Sequence, residues 1–196
     1  MKITKTLYVH KVQHWRSWLR KNHQTAKEIW LIYYKKDSGK PRISYNDAVD
    51  EALCFGWIDS TVKAIDKDRF CQRYSPRRKG SPTSEMNKHR AMRMIKEGRM
   101  TKAGLEALHG TLGHGAKVHK GTIKHTKPWK VPADILKALK RDKQVWKNFQ
   151  KFPLAYKRIR VGWIDAVRYR KDVFKQRLGY FLKMTAQNKR FGMIQK

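Results

Sequence analysis

The feature that most limits how this chain can fold is Ile29 to Tyr34 inside "EIWLIYYKK", six consecutive apolar or aromatic residues. Branched and aromatic side chains of this kind suit a pleated sheet. With no polar residue alternating through it, the run predicts a strand buried on both faces or nearly so. Such a strand needs neighbours and covers from elsewhere in the sequence. Before it, "KVQHWRSWLRKN" sets Val12, Trp15, Trp18 and Leu19 at helical spacing, and Asn22 closes the run. After it, "DSGKP" reads as a turn. Ser44 followed by Asp47 is a looser capping box in which Asp replaces Glu, and Tyr45, Ala48, Val49, Ala52 and Leu53 trace one helical face. That helix is predicted to run to about Phe55, where Gly56 supplies a left-handed cap. Val62 and Ile65 are then separated from Phe70, Cys71 and Tyr74 by the polar "DKD", the pattern of a hairpin of two short strands.

The rest of the chain reads as helices. Ser84 caps "EMNKHRAMRMIKE" and Gly98 stops it, while Thr101 caps "KAGLEAL" with Met100 against Leu105. Residues 109–130, "HGTLGHGAKVHKGTIKHTKPWK", hold four Gly and no acid and are expected to be a linker. Pro132 then opens "ADILKALKR", "KQVWKNFQKF" follows, and Pro153 suits the first turn of "LAYKRIRVGWIDAVRYR". A last helix carries Phe174, Leu178, Phe181 and Leu182 on one stripe. The expected architecture is α+β: a lobe over 1–108 with a small antiparallel sheet and helices, the linker, and a basic helical lobe over 131–196. The tetrapeptide GWID occurs twice, at 56–59 just past a helix end and at 162–165 inside a helix. Its flanks do not match, so a duplicated module is not expected.

Charge decides the function classes. Of 196 residues, 47 are Lys or Arg against 15 Asp or Glu, a formal +32, far from the mixed-sign surface of an ordinary soluble domain. Such an excess repels itself and attracts polyanions, so nucleic acid, anionic lipid or another acidic polymer is the expected counter-surface. No apolar run approaches the roughly 20 residues of a spanning helix. The start "MKITKTLYVHKVQHW" has no secretory-signal pattern, so a cytoplasmic protein is expected. Cys54 and Cys71 offer no disulfide framework and no thiol metal site; Cys54, between Leu53 and Phe55, reads as a small core residue.

Three phrases, "EIWLIYYKK", "ISYNDAVDEALCFGWIDS" and the "PRRKGS" that follows, make residues 22–81 closely resemble the YdeI/OmpD-associated proteins, often labelled bacteriocin-protection proteins. "EGRMTKAGL" is a looser echo, and Trp163 with Ile164 keeps that family's C-terminal Trp-Ile pair. The resemblance implies an α+β N-terminal lobe, a helical C-terminal lobe and a cytosolic bacterial protein. It implies no established reaction and no cofactor.

Polyanion binding has two candidate groups. In "SPRRKGSPTSEMNKHRAMRMIKEGR", Arg77, Arg78 and Lys79 precede a capped helix with Lys88, Arg90 and Arg93, able together to neutralise several phosphates, while Arg73 and Tyr74 add a stacking surface. In the C-terminal lobe the densest group is Lys157, Arg158, Arg160, Arg168, Arg170 and Lys171. A competing small-molecule or hydrolytic pocket would use Asp47, Trp57 and Asp59, since carboxylates can do acid and base work. Against it, Asp47 is also what a helix start needs, Asp50 and Glu51 read as a solvated face, and Asp66 and Asp68 are what a turn needs. His109, His114, His119 and His125 recur at a spacing that matches no tight zinc pattern, and no metal is expected. The sequence thus predicts a non-enzymatic protein of bacteriocin-protection or envelope-stress type that binds an anionic polymer such as nucleic acid. A pocket around Asp47 and Asp59, or a protein-interaction module in envelope regulation, are the alternatives.

Overall fold

The protein is seen in a computed structural model that describes residues 2–109 and 129–192. In chain order the elements are β1 (Thr6–Tyr8), α1 (Val12–Asn22), β2 (Ile29–Tyr34), a 3-10 turn, α2 (Tyr45–Cys54), β3 (Trp57–Ala64), β4 (Arg69–Pro76), α3 (Glu85–Lys96), α4 (Lys102–Leu108), α5 (Ala133–Lys140), α6 (Lys143–Lys151), α7 (Leu154–Asp165) and α8 (Lys171–Ala186). The fold class is α+β. Contacts along the chain separate it into two units, 2–83 with 90–109, and 84–89 with 129–192. The predicted linker lies outside the described residues except for His109, Trp129 and Lys130, and so do His114, His119 and His125.

The apolar run is indeed a strand inside a four-stranded sheet of order β1-β2-β4-β3. β2 pairs antiparallel with β4 from Ile29 opposite Tyr74 to Tyr34 opposite Arg69, and β4 pairs antiparallel with β3. The sheet is mixed rather than antiparallel, because β1 lies parallel to β2. Parallel neighbours need a crossover, and α1 provides it. Three residues, Thr6-Leu7-Tyr8, are too few to show a period in the sequence, which is why this strand was not legible.

Successive strand residues face opposite sides. Ile29, Leu31 and Tyr33 enter the core shared with Trp15 and Leu19 of α1 and with Ala48, Val49, Ala52 and Leu53 of α2. Trp30, on the other face, is also fully buried, with the Lys63 ammonium 6.0 Å from its ring. Each large apolar side chain buried here contributes about 1.5–3 kcal/mol. The two core indoles also find acceptors: Trp15 Nε1 donates to Ala48 O and Trp57 Nε1 to His23 O, both at 3.0 Å.

The predicted helix ends are real. Ser44 Oγ accepts from Asp47 N, Thr101 Oγ1 accepts from Gly104 N, and Gly98 turns the chain at φ +67. Gly56 ends α2 at φ +75, and a side chain there would meet Ala103 O at 2.9 Å. Gly104 is tighter still, since a Cβ would collide with Cys54 O and Met100 Sδ. Gly104→Ala is therefore expected to cost about 1–3 kcal/mol in urea unfolding by pushing α4 off α2; an unchanged midpoint would mean that α4 is free to shift.

The second unit packs α5 to α8 around Ile135, Leu139, Val145, Phe149, Tyr156, Ile164 and Phe181. Asn148 Nδ2 donates to Thr185 O and Ala186 O, tying α6 to the end of α8. The second GWID closes α7 and the first opens β3, so the two copies have different backbones. Among the described residues no helix is long and apolar enough to cross a membrane.

Candidate functional site

Most of the basic residues singled out by sequence between 73 and 93 are bound to acceptors of the protein itself. Arg73 and Tyr74 are successive residues of β4 and so point to opposite faces. Arg73 pairs with Glu28 at 2.5 Å and bonds Ser75 Oγ, while Tyr74 is fully buried with its hydroxyl 3.0 Å from that of Tyr33. They do not form one stacking surface. Arg77 turns inward: one Nη2 donates to Ser81 O, Pro82 O and Thr83 Oγ1, each at 2.7 Å, and burial pulls its pKa down. It fastens its own loop. Lys88 pairs with Glu85 at 2.7 Å. Arg90 and Arg93 both clamp Asp50. Arg78 and Lys79 stay exposed, in a turn closed by Ser81 N on Arg78 O.

The same pairing explains the carboxylates. Asp50 and Glu51, neighbours on α2, are not the solvated face expected of them: each is 1% exposed, and Glu51 is held by Arg16 and Arg99. Buried carboxylates persist only with such partners, so four arginines are structural. Among the pocket candidates, Asp47 accepts from Ser44 Oγ at 2.7 Å as part of the cap of α2. Trp57 is a core indole. Asp59 Oδ2 accepts from Tyr45 Oη at 2.9 Å and Gln72 Nε2 at 2.7 Å, across β3, β4 and α2. The three residues serve separate purposes, and among the described residues no second carboxylate bonds to Asp59. Cys54 is fully buried, and burial pushes its thiol up to about 11, the behaviour of a core residue.

The Asp59 network has a consequence for pH. Burial, reinforced by the Asp59 charge, pushes the Tyr45 hydroxyl up to about 12, and burial also raises Tyr33 and Tyr74. A phenol with a raised folded-state pKa holds its proton longer in the folded than in the unfolded chain. Its stabilisation is complete below the ordinary phenol value of about 10 and is lost as pH rises beyond it. The urea midpoint is thus expected to fall steeply between about pH 10 and 12. Tyr45→Phe should flatten part of that fall; an identical profile in the variant would assign the loss elsewhere.

The second unit is charged differently. Between 129 and 192 there are 18 Lys or Arg against 4 Asp. All four acids are engaged locally: Asp142 caps α6 through Gln144 N and Val145 N, Asp134 and Asp165 hold Arg168, and Asp172 lies 3.9 Å from Arg170. The bidentate Arg168 fork, at 2.8 and 2.9 Å, holds the Asp134 carboxyl down at about 2. Fourteen of the 18 cations are exposed. Of the group picked out by sequence, Arg168 is therefore bound by acids, Arg170 and Lys171 are exposed, and Lys157 bends back to donate to Gln150 O. Arg158 lies 5.9 Å from the Trp129 ring, and Arg160 is buried over Tyr156 and Phe191.

What sequence reasoning missed is the ordering of the lysines. Lys143, Lys147 and Lys151 are exposed four residues apart along α6, and Lys171, Lys175 and Lys183 repeat the pattern on α8, with exposed Gly179 in the gap. Four residues advance a helix by about 6 Å along one face, so each helix carries a ridge of ammonium groups. The four-residue period was the available signal.

A family model described as "Domain of unknown function (DUF8412)" matches residues 7–107, more than half of the chain. The protein belongs to that family. The DUF8412 match ends with α4, and a second model, described as "Bacteriocin-protection, YdeI or OmpD-Associated", matches residues 129–188. The resemblance to the YdeI/OmpD-associated proteins therefore holds, and the bacteriocin-protection type with it. It is carried by the C-terminal helices, including Trp163 and Ile164, whereas the phrases over 22–81 lie in the DUF8412 region. Neither the curated proteins nor the solved structures contain a match. Among the described residues, no three His, Cys, Asp or Glu side chains gather as they would to hold a metal.

Proposed function

We propose that this DUF8412 protein binds an anionic polymer, nucleic acid foremost, through the lysine ridges of α6 and α8, and that it does so in the cytoplasm. The observation that carries the reading is the contrast between the units. In the first, the arginines nearest the acids are paired, and Asp50 and Glu51 alone occupy four of them. In the second, the acids are already held by a cap or by Arg168 and Arg170, and exposed lysines remain on regular spacing. Evenly spaced ammonium groups suit a backbone that carries a phosphate at every step, and each phosphate neutralised releases a counterion. Exposed Arg78 and Lys79 are secondary contacts on the same reasoning. Ammonium groups on such ridges meet phosphates rather than base edges, so binding should be indifferent to sequence.

A salt titration of binding to mixed-sequence DNA and RNA tests the proposal, and no binding at about 50 mM salt would end it. Pull-down before and after nuclease treatment separates this reading from a protein-interaction module: a partner that survives nuclease points to an acidic protein.

A further inference from the structure

We propose that a cleft in the first unit, walled by α1, the end of α2 and α4, binds a small organic phosphate. The cleft is open to solvent and has a volume of about 450 Å³, within the ~300–1,000 Å³ typical of small-molecule sites. It is formed where three separated stretches of sequence meet: α1 and the residues after it through Arg16 to Gln24, "ALCFGWID" through Phe55, and "EGRMTKAGL" through Thr101 to Ala103. Its walls are set by contacts that leave little play. Thr101 N and Oγ1 both donate to Cys54 O, at 3.0 and 2.6 Å, and Gly56 and Gly104 allow α4 to lie directly on the end of α2. Arg16 anchors the opposite wall, with Nη1 on Glu51 at 2.6 Å, Nη2 on Arg99 O at 2.9 Å and its guanidinium 5.2 Å from the Phe55 ring. The frame of the cleft is thus built before any ligand arrives, and the exposed side chains of Arg20 and Lys102 are what a ligand would order.

The remaining lining groups determine the ligand. Arg20 from α1 and Lys102 from α4 line the cleft from different elements and are exposed, and His23, just after α1, lines it with them. His23 Nδ1 donates to Leu19 O at 3.0 Å, so Nε2 can accept from a ligand hydroxyl or, when the ring is an imidazolium, donate to a phosphate oxygen. Glu106 is the opposing acid, but it is exposed and reaches Lys102 only at 4.0 Å. Arg16 is already neutralised by Glu51. Separate donors on different walls match the three acceptor oxygens and near-double charge of a phosphate monoester better than a planar carboxylate, which is best met by one guanidinium fork. The cavity exceeds a bare phosphate, so the group arrives on a larger polar body.

This site is independent of the polymer-binding reading, since it shares no residue with the ridges of α6 and α8 or with Arg78 and Lys79. The test is a residue-resolved NMR titration of the full chain with ribose 5-phosphate, ribose, inorganic phosphate and succinate. Ribose 5-phosphate is expected to shift the amides of Arg20, His23, Thr101 and Lys102 saturably and to bind more tightly than the other three. Arg20→Gln with Lys102→Gln, both exposed and so compatible with folding, is expected to weaken it at least about tenfold. The variant should leave salt-dependent DNA binding intact. Absence of saturable shifts up to about 10 mM overturns the proposal, as does unchanged affinity in the double variant. Succinate or ribose binding equally well would overturn the phosphate assignment, and inorganic phosphate doing so would overturn the larger body.

Discussion

Raising the salt from about 50 to about 200 mM is expected to weaken binding to mixed-sequence DNA by a factor on the order of a thousand. The expectation rests on Lys143, Lys147 and Lys151 of α6 and Lys171, Lys175 and Lys183 of α8, all exposed and none in an ion pair among the described residues. If these six each neutralise a phosphate, the plot of log affinity against log salt should have a slope of about −5. Replacing the three α6 lysines by Gln removes half of those contacts and should reduce the slope by nearly 3, with the same loss on every sequence tested. Substitutions at exposed helix positions seldom move stability by more than about 0.5 kcal/mol, so the variant should remain folded. A slope near zero, or a slope that the α6 variant leaves unchanged, would remove the ridges from the mechanism.

Asp50→Ala should lower the unfolding free energy by about 3–5 kcal/mol, measured by urea denaturation at neutral pH. Asp50 accepts from Arg90 at 2.7 Å and is also clamped by Arg93. Arg93 is about a third exposed and can turn to water or to Glu97, 3.5 Å away. Arg90 has no such escape, because its side chain is 7% exposed. Removing the carboxylate leaves that guanidinium with Asn46 as its remaining acceptor, through Oδ1 and the backbone oxygen at 3.4 Å. Part of the charge therefore stays solvated by the amide, which places the cost towards the lower end of the range. Arg93→Ala, which leaves Asp50 still paired with Arg90, should cost much less. A loss below about 1 kcal/mol in Asp50→Ala would show that Arg90 rearranges to water.

The contrast between these two predictions shows why the charge was hard to interpret along the chain. Arg90 and Lys143 are both basic residues in amphipathic helices. What separates them is whether an acid distant in sequence arrives beside them: Asp50 is 40 residues from Arg90, and no local pattern announces it. Arg73 and Tyr74 mislead in another way. Adjacent in sequence, they look like one stacking surface, but the pleat sends Tyr74 into the core beside Tyr33. The caps by Ser44 and Thr101, the stop at Gly98 and the four C-terminal helices were legible because each depends on residues within about one turn. The candidate site was legible in kind, through the excess of Lys and Arg, and not in place.

By itself the sequence determined an α+β chain with a buried strand at 29–34, a helical C-terminal half, a strongly basic character and the relationship to the YdeI/OmpD-associated proteins. These follow from local periodicity, capping and composition. Only the tertiary structure decided that β1 makes the sheet mixed, that four arginines are bound to Asp50 and Glu51, and that Phe55 and Thr101 wall a cleft. Those outcomes depend on which distant groups desolvate one another, and desolvation is a property of the packed chain alone.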